Sequence, residues 1–96
     1  MRAALYLMDQ CIGSGIHGII DSLIAANYTL VKSGHQPMFS WDTVSITGKP
    51  VVPTNGLRIQ PDYKLSDYLQ LDTSPDVWIF PSVFQSSTGF EKIEIA

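Results

Sequence analysis

The segment from Asp76 to Ser82 constrains the fold of this 96-residue chain more than any other. The four residues from Val77 to Phe80 form an apolar run without polar alternation, an acid precedes the run and Pro81 ends it. Continuous apolar runs of this length are typical of strands buried on both faces of a parallel sheet. Ligands of open parallel sheets bind just beyond the carboxyl ends of the strands. We therefore expect a strand buried on both faces, followed by Phe80–Val83 as the lip of a functional crevice.

The N-terminal third predicts the first half of a βαβ unit. Ala3–Met8 is a short apolar run that indicates a buried strand. Downstream, isoleucines and a leucine recur at the i, i+3, i+4, i+7 and i+8 spacing of an amphipathic helix: Ile16, Ile19, Ile20, Leu23 and Ile24. We expect Ser14 to cap the start of this helix and Asn27 to end it, because Asn tolerates the left-handed conformation.

The rest of the chain alternates short predicted elements with turns. Phe39–Ile46 reads as a second strand, and Ser66–Leu69 as a short helix. Two brief strands around the Pro53–Gly56 turn predict a hairpin at the edge of the sheet. Ser87–Glu91 matches a capping box for a helix start, with only five residues after it. We therefore expect the N-terminal part of a larger fold, with apolar faces that favour self-association.

Composition excludes several classes of function. The net charge of −3 and six scattered Lys and Arg argue against direct binding of a nucleic acid backbone by this segment. The single cysteine, Cys11, excludes a disulfide framework and fits a reducing cytosol. No apolar run is long enough for a signal peptide or a membrane span. These features predict a soluble, cytoplasmic protein that has no contact with a membrane.

Two motifs invite a functional interpretation and each has a simpler alternative. Gly13–Gly18 matches the G-x-G-x-x-G pattern of dinucleotide-binding turns, but the first glycine follows the strand too late and the second strand lacks the expected acid. Close helix–sheet packing is the alternative that we favour for these glycines, so we predict no cofactor. Cys11 has no second cysteine nearby, and a buried inert thiol is its commoner role. His17 and His35 lack metal-ligand spacing, which predicts no metal site.

Several segments resemble PfpI/ThiJ-type domains of the class I glutamine amidotransferase-like superfold. The opening carries the resemblance in Leu5–Met8, Ser14, Gly18, Asp21, Leu23 and Ala26–Asn27. The middle carries it in Val44–Ser45, Gly48–Val51 and Asn55–Asp62, and the last part in Asp76–Pro81. Within this group the chain is most similar to the sensor half of AraC-type transcriptional regulators, over most of residues 3 to 83.

The resemblance implies an α/β three-layer sandwich with a mainly parallel sheet of PfpI-like, flavodoxin-like topology, truncated at its C-terminus. Residues 1–96 would be the N-terminal part of one such domain, without the DNA-binding domain. The enzymatic relatives have a Glu on or just before the first helix, where this chain has Gly15, Ile16 and His17. Ser82-Val83 stands where the family usually has Gly-Gly, and the nucleophile elbow would lie beyond residue 96.

These departures favour a non-catalytic sensing and dimerising segment over a hydrolase or lyase, which remains the alternative. A small-molecule effector would lie near Asp9, Ser14, His17, Pro81 and Ser82. The predicted partner is a second copy of the chain, and DNA would be contacted only through a C-terminal domain.

Overall fold

The computed structural model describes residues 1–82 of the chain, and its helices and strands alternate. In chain order they are β1 (Arg2–Leu7), α1 (Gly13–Lys32), β2 (Ser40–Ser45), β3 (Tyr63–Lys64), α2 (Leu65–Tyr68) and β4 (Val77–Ile79). The four strands form one sheet in the order β3-β2-β1-β4, and every neighbouring pair is parallel. The α/β class and the parallel sheet are therefore confirmed. The helix start predicted at Ser87–Glu91 and residue Val83 of the lip lie outside the described residues.

β1 forms the centre of the molecule because it is apolar along both faces. Ala3 and Leu5 are fully buried against one face of the sheet, where Ile16 of α1 covers them. Ala4, on the opposite face, packs with Val44 of β2 and with Tyr68 of α2. Burial of each large aliphatic side chain here contributes about 1.5–3 kcal/mol. Helices on both faces of one sheet make the three-layer arrangement.

α1 begins earlier and ends later than the sequence predicts. Its N-cap is Ile12, no side chain from residues 1–82 caps it, and Ser14 already lies inside the first turn. The expectation that Ser14 is the N-cap is therefore wrong. The helix also continues past Asn27 to Lys32, with Ser33 as its C-cap. Leu30 remains partly buried in this extension, so the apolar face reaches further than the first five apolar positions indicate.

The side chain of Asn27 explains why the predicted helix end fails. Its Oδ1 accepts hydrogen bonds from the backbone N–H groups of Met38, at 3.1 Å, and of Phe39, at 2.9 Å. Its Nδ2 donates to the carbonyl of Phe39 at 2.8 Å. Asn27 thus stays in the helix and holds the segment that leads into β2, instead of adopting a left-handed conformation after the last turn.

The connection between β2 and β3 contains the predicted hairpin in reduced form. Val51 and Ile59 pair antiparallel through a single bridge, and Gly56 in the intervening turn has a φ of 80°. β3 is a strand that the sequence does not predict. The N–H of Thr43 donates to the Asp62 carboxylate at 3.0 Å, and the N–H of Asp62 donates back to the Thr43 hydroxyl at 2.9 Å. These bonds align the following two residues with the end of β2.

β4 differs most from expectation. Among the described residues it lies at the edge of the sheet, with Val77 exposed and with Trp78 and Ile79 only partly buried. The prediction of a strand buried on both faces is therefore wrong. The carboxylate of Asp76 accepts a hydrogen bond from the N–H of Arg2 at 2.7 Å, and the N–H of Asp76 donates to the Arg2 carbonyl at 2.8 Å. This reciprocal pair fixes the register of β4 against β1.

Candidate functional site

The strand order creates a crevice at the carboxyl ends of β1 and β4. From β1 the chain crosses through α1 to β2 on one side, and later returns to place β4 on the other side. Ligands of open parallel sheets bind at this kind of reversal, because the two loops leave the sheet in opposite directions. Here the two loops are Met8–Ile12 and Phe80–Ser82. The N–H of Ile12 donates to the carbonyl of Ser82 at 2.7 Å, which ties the loops together.

The hairpin that follows β2 forms a third wall of the crevice. The carboxylate of Asp9 accepts a hydrogen bond from the N–H of Val52 at 2.9 Å, and the N–H of Gln10 donates to the Val52 carbonyl at the same distance. The N–H of Thr54 donates to the carbonyl of Cys11, also at 2.9 Å. Two backbone hydrogen bonds of the loop after β1 therefore go to residues 52–54, and one Asp9 oxygen accepts a hydrogen bond from the same wall.

The five residues predicted to bind a ligand do not play equivalent parts. Asp9, Ser14, His17 and Ser82 have exposed side chains, whereas Pro81 is buried. Ser14 and His17 are three residues apart at the start of α1, so they lie on neighbouring parts of one helix face. Asp9 and Ser82 belong to loops that hydrogen-bond to the crevice walls. Pro81 is the one buried member of the set, and its contact with a ligand stays a prediction.

Cys11 lies in the crevice loop but is unsuited to act as a nucleophile. Its side chain is fully buried within the core cluster of β1 and α1. Burial raises the pKa of the Cys11 thiol above its ordinary value, and this effect outweighs hydrogen bonds that lower it. Because the thiolate is the reactive form, a buried and protonated thiol is chemically quiet at neutral pH.

Gln10 is a crevice residue that the sequence does not single out. Its φ of 65° makes it the non-glycine residue with positive φ among residues 1–82. It occupies the turn Met8–Cys11, closed by a hydrogen bond from the Cys11 N–H to the Met8 carbonyl at 3.2 Å. Positions with positive φ favour Gly or Asn, so a Gln here gives no recognisable turn signal. Its amide is exposed beside Asp9.

The glycines of the G-x-G-x-x-G match serve different purposes. A Cβ added at Gly13 would stand 2.6 Å from the side-chain nitrogen of Asn55, so the crevice wall requires glycine or a shifted Asn55 there. Added Cβ atoms at Gly15 and Gly18 would meet nothing within 4 Å. Close helix–sheet packing therefore does not explain these two glycines, and that expectation is wrong for both.

The first turn of α1 presents the positive end of the helix dipole to the crevice. Within residues 1–82 no side chain caps it and its first turn contains no acidic residue, although the N–H of Gly15 donates to the Ile12 carbonyl at 3.0 Å. Uncapped N–H groups together with the helix dipole favour negative or electron-rich groups of a ligand. Among residues 1–82, no group of three or more His, Cys, Asp and Glu side chains is placed to hold a metal ion.

A second concave surface lies on the sheet face opposite α1. It is an open groove of about 510 Å³ lined by Tyr6, Leu65, Trp78 and Phe80. The rings of Tyr6 and Phe80 lie 5.6 Å apart, and those of Trp78 and Phe80 are stacked at 6.4 Å. Its lining is almost wholly apolar, whereas the crevice carries the polar groups. No helix within residues 1–82 has the length and apolarity needed to span a lipid bilayer.

Comparison with known proteins gives structural relatives and no sequence relatives. No family model and no curated protein sequence matches the chain. An AraC family transcriptional regulator from Pseudomonas putida superposes with a TM-score of 0.68 at 16% identity, covering 98% of this chain and 54% of the regulator.

Two further solved structures come from the DJ-1 group. A DJ-1 superfamily protein from Agrobacterium tumefaciens has a TM-score of 0.59 at 22% identity, covering 96% of this chain and 40% of that protein. Oxidised DJ-1 from Toxoplasma gondii has a TM-score of 0.61 at 15% identity, covering 86% and 39%. The chain thus spans about half, or less, of the proteins that it resembles. It has the α/β fold shared by AraC-family regulators and DJ-1/PfpI-like proteins, as the sequence resemblance implies.

Proposed function

We propose that this chain is the effector-sensing part of an AraC-type transcriptional regulator and that it binds a small polar molecule without transforming it. The ligand would occupy the crevice between the carboxyl ends of β1 and β4. DNA would be read by a separate helix-turn-helix region of the protein, which works in the cytoplasm. The similarity in fold to a Pseudomonas putida AraC family regulator supports this assignment.

The observation that carries the proposal is the chemistry of the crevice. Binding groups are exposed there, but within residues 1–82 a thiol nucleophile is not: Cys11 is fully buried and its pKa is raised by burial. The start of α1 contains no acid that could assist a thiol as a general base. A site with exposed polar groups and no reactive thiol among the described residues is suited to recognition.

The ligand class follows from the groups that are exposed. The uncapped start of α1 favours a carboxylate or another electron-rich group, and the Ser14 hydroxyl and His17 imidazole can hydrogen-bond to it. The second oxygen of Asp9 and the amide of Gln10 lie on the loop that faces α1's first turn and can accept from a donor. A small molecule with both an acidic and a donor group, such as an amino-acid-like compound, fits this set.

A thermal-shift screen of the full-length protein against small carboxylic and amino acids tests the proposal. We expect a compound that raises the unfolding temperature, with the shift reduced in Ser14→Ala and His17→Ala. Ser22→Ala is the matched control, because Ser22 is exposed on the same helix and its hydroxyl donates to the Gly18 carbonyl at 2.8 Å. A stabilising compound whose effect is equal in all three variants would contradict binding at this crevice.

The runner-up is a DJ-1/PfpI-like hydrolase or lyase, and the likeness in fold to DJ-1 superfamily proteins favours it. Its nucleophile would have to come from outside residues 1–82. Incubating the stabilising compound with the full-length protein and following it by mass spectrometry separates the two functions. Recovery of the unchanged compound supports a sensor, whereas its steady conversion would support the enzyme.

A further inference from the structure

A chemically labile dipeptide lies in the hairpin that forms the third wall of the crevice. Asn55 is followed by Gly56, and both residues are exposed in the turn between Val51 and Ile59. Asn is among the thermolabile residues of proteins, because its side-chain amide can be lost as ammonia. That loss begins when the next backbone nitrogen attacks the Asn side-chain carbon, and a following glycine has no Cβ to obstruct the approach. The dipeptide therefore has the sequence that this reaction favours.

The conformation of the turn also favours the reaction. The N–H of Leu57 donates to the Asn55 Oδ1 at 3.0 Å, which makes an Asx turn. The ring closed by this hydrogen bond contains both the Asn55 Cγ and the Gly56 nitrogen, and the bond polarises the side-chain carbonyl that must be attacked. Gly56 has a φ of 80°, and a Cβ added to it would meet nothing within 4 Å. Water and base thus have free access to the reacting peptide.

One hydrogen bond opposes the attack. The N–H of Gly56 donates to the Pro53 carbonyl at 2.9 Å, and the nitrogen must lose this proton as it bonds to the Asn55 Cγ. Because the turn is exposed, water can replace the carbonyl as the acceptor, and dissolved base can remove the proton. This hydrogen bond therefore slows the reaction without blocking it.

The second of the two asparagines in the chain provides an internal contrast. Asn27 lies inside α1, and its amide is fixed by hydrogen bonds to the backbone of Phe39 at 2.8 and 2.9 Å. The residue after it is the bulky Tyr28. An attack on the Asn27 side chain would have to break these hydrogen bonds and unwind the helix locally. We therefore expect Asn27 to be stable under conditions in which Asn55 reacts.

The side chain of Asn55 lies against the start of α1. A Cβ added at Gly13, the first residue of the helix, would stand 2.6 Å from the Asn55 Nδ2. Within residues 1–82 this Nδ2 makes no hydrogen bond, so its replacement by oxygen breaks none. A carboxylate at this position would bring a negative charge to the positive end of the helix dipole, where the first turn has no acid of its own.

We propose that Asn55 is a site of spontaneous deamidation in the folded protein and that the resulting carboxylate caps α1 from the crevice wall. The Gly56 nitrogen bonds to the Asn55 Cγ, the bond from Cγ to Nδ2 breaks, and ammonia leaves with the proton of Gly56. Water then opens the five-membered imide at either of its carbonyls and leaves an aspartyl or an isoaspartyl residue at position 55. Nothing is oxidised or reduced, and each product carries one additional negative charge.

This modification would regulate the crevice, a consequence that rests on the proposed function. The new carboxylate takes the place at the start of α1 that is proposed for the acidic group of a ligand. The affinity for a carboxylate should weaken about tenfold, because like charges at close range in a hydrated crevice repel each other. The binding strength of the protein would thus fall as the protein ages.

Incubation of the full chain in heavy-oxygen water tests the reaction without any ligand. After storage at mildly alkaline pH, we expect the peptide that contains Asn55 to have exchanged an NH group for a labelled oxygen. The peptide that contains Asn27 should keep its mass, and so should the matched peptide of Asn55→Gln, whose longer side chain would have to close a less favourable ring. The proposal is overturned if Asn55 is labelled only in urea and not in native buffer, or if Asn27 reacts equally fast.

The variant Asn55→Asp tests where the new carboxylate lies. In NMR spectra we expect the amide protons of Gly13 and Ser14 to move downfield and to exchange more slowly with solvent, since they gain an acceptor. Thr54→Asp is the matched control, because it adds the same charge one residue earlier in the same exposed turn. Equal changes in the two variants, or none in Asn55→Asp, would overturn the capping of α1.

An acetate titration followed through the same two amide signals tests the regulation. Acetate is the simplest carboxylate probe, and it should bind Asn55→Asp about tenfold more weakly than the parent chain. Equal binding by both chains would overturn the regulation. If acetate does not affect the parent chain, the proposed ligand class is wrong and the regulation falls with it. The labelling result is independent of both outcomes, so a failure of the proposed function is distinguishable from a failure of the deamidation.

Discussion

Asn27 is the single polar side chain on which the joining of α1 to β2 most depends. Its amide makes three hydrogen bonds to Met38 and Phe39, two of them in partly buried surroundings. Removing them by Asn27→Ala costs about 0.5–1.5 kcal/mol per bond, since the backbone groups of Phe39 lose their partners. Ala is better than Asn in a helix by up to about 0.7 kcal/mol, which offsets part of this cost. The net expected loss is about 2 kcal/mol.

Urea unfolding followed by circular dichroism measures this loss, at protein concentrations low enough to keep the chain monomeric. For a chain of this size the slope is about 1–2 kcal/mol per molar urea, so the midpoint should fall by about 1–2 M. Asn27→Asp preserves the acceptor for two N–H groups and removes only the donor to the Phe39 carbonyl. It should therefore lose about half as much stability as Asn27→Ala.

Thr29→Ala provides the matched control, because Thr29 lies on the same helix and its hydroxyl donates to the Ala25 carbonyl of that helix, at 3.0 Å. Its removal should change the free energy of unfolding by less than about 0.5 kcal/mol. If Asn27→Ala and Thr29→Ala differ by less than that, the side chain of Asn27 does not secure the start of β2 and the reasoning is refuted.

Two further predictions concern the core and the crevice. Burial raises the pKa of Cys11. The pKa of Tyr68 is also raised, by burial and by the hydrogen bond that the Tyr68 hydroxyl donates to Asp42. Both groups therefore lose their protons less readily in the folded chain than in the unfolded chain. Their contribution to stability is complete below the ordinary pKa values of 9.0 and 10.0, and it should be lost as the pH rises through the raised pKa values of the folded state. Tyr68→Phe should flatten this loss in urea titrations from roughly pH 8 to 11, the range over which free Cys and Tyr side chains ionise, and an unchanged slope would exclude Tyr68 as a source of the loss. Gly15→Ala, which has open space around it, should stabilise α1 by about 1 kcal/mol, whereas Gly13→Ala should gain less or destabilise because it displaces Asn55. Equal melting temperatures for these two variants would contradict the crowding at Gly13.

The sequence predicts those elements whose periodicity is long enough to be distinctive. The isoleucines from Ile16 to Ile24 indicate α1, and the apolar run before Asp9 indicates β1, because both patterns repeat over several residues. The ends of α1 escape prediction, since Asn27 carries a signal for a helix end but finds backbone partners in the loop before β2. Local sequence contains no information about partners eleven and twelve residues away.

The remaining errors arise from tertiary placement. An apolar run such as Val77–Phe80 predicts a buried strand. Whether that strand lies at the centre or at the edge of the sheet depends on the other strands. β3 consists of two residues and is held by the reciprocal hydrogen bonds of Thr43 and Asp62. No hydrophobic periodicity in the sequence predicts these bonds. Of the candidate site, Asp9, Ser14, His17 and Ser82 could be placed from the ends of predicted elements. Gln10 could not, because its left-handed backbone depends on contacts with Val52.

The order of the strands also affects how the chain reaches its native state. β1, α1 and β2 are consecutive, and Arg2 of β1 pairs with Ser40 of β2, 38 positions later, so these contacts close a shorter loop and can form earlier. β4 joins β1 only through three residue pairs, and Arg2 meets Asp76 across 74 positions of the chain. Closing so long a loop costs more conformational entropy than any local contact, so this edge is expected to form late on the folding pathway. The crevice, which requires both edges of β1, would then be completed in the last step of folding.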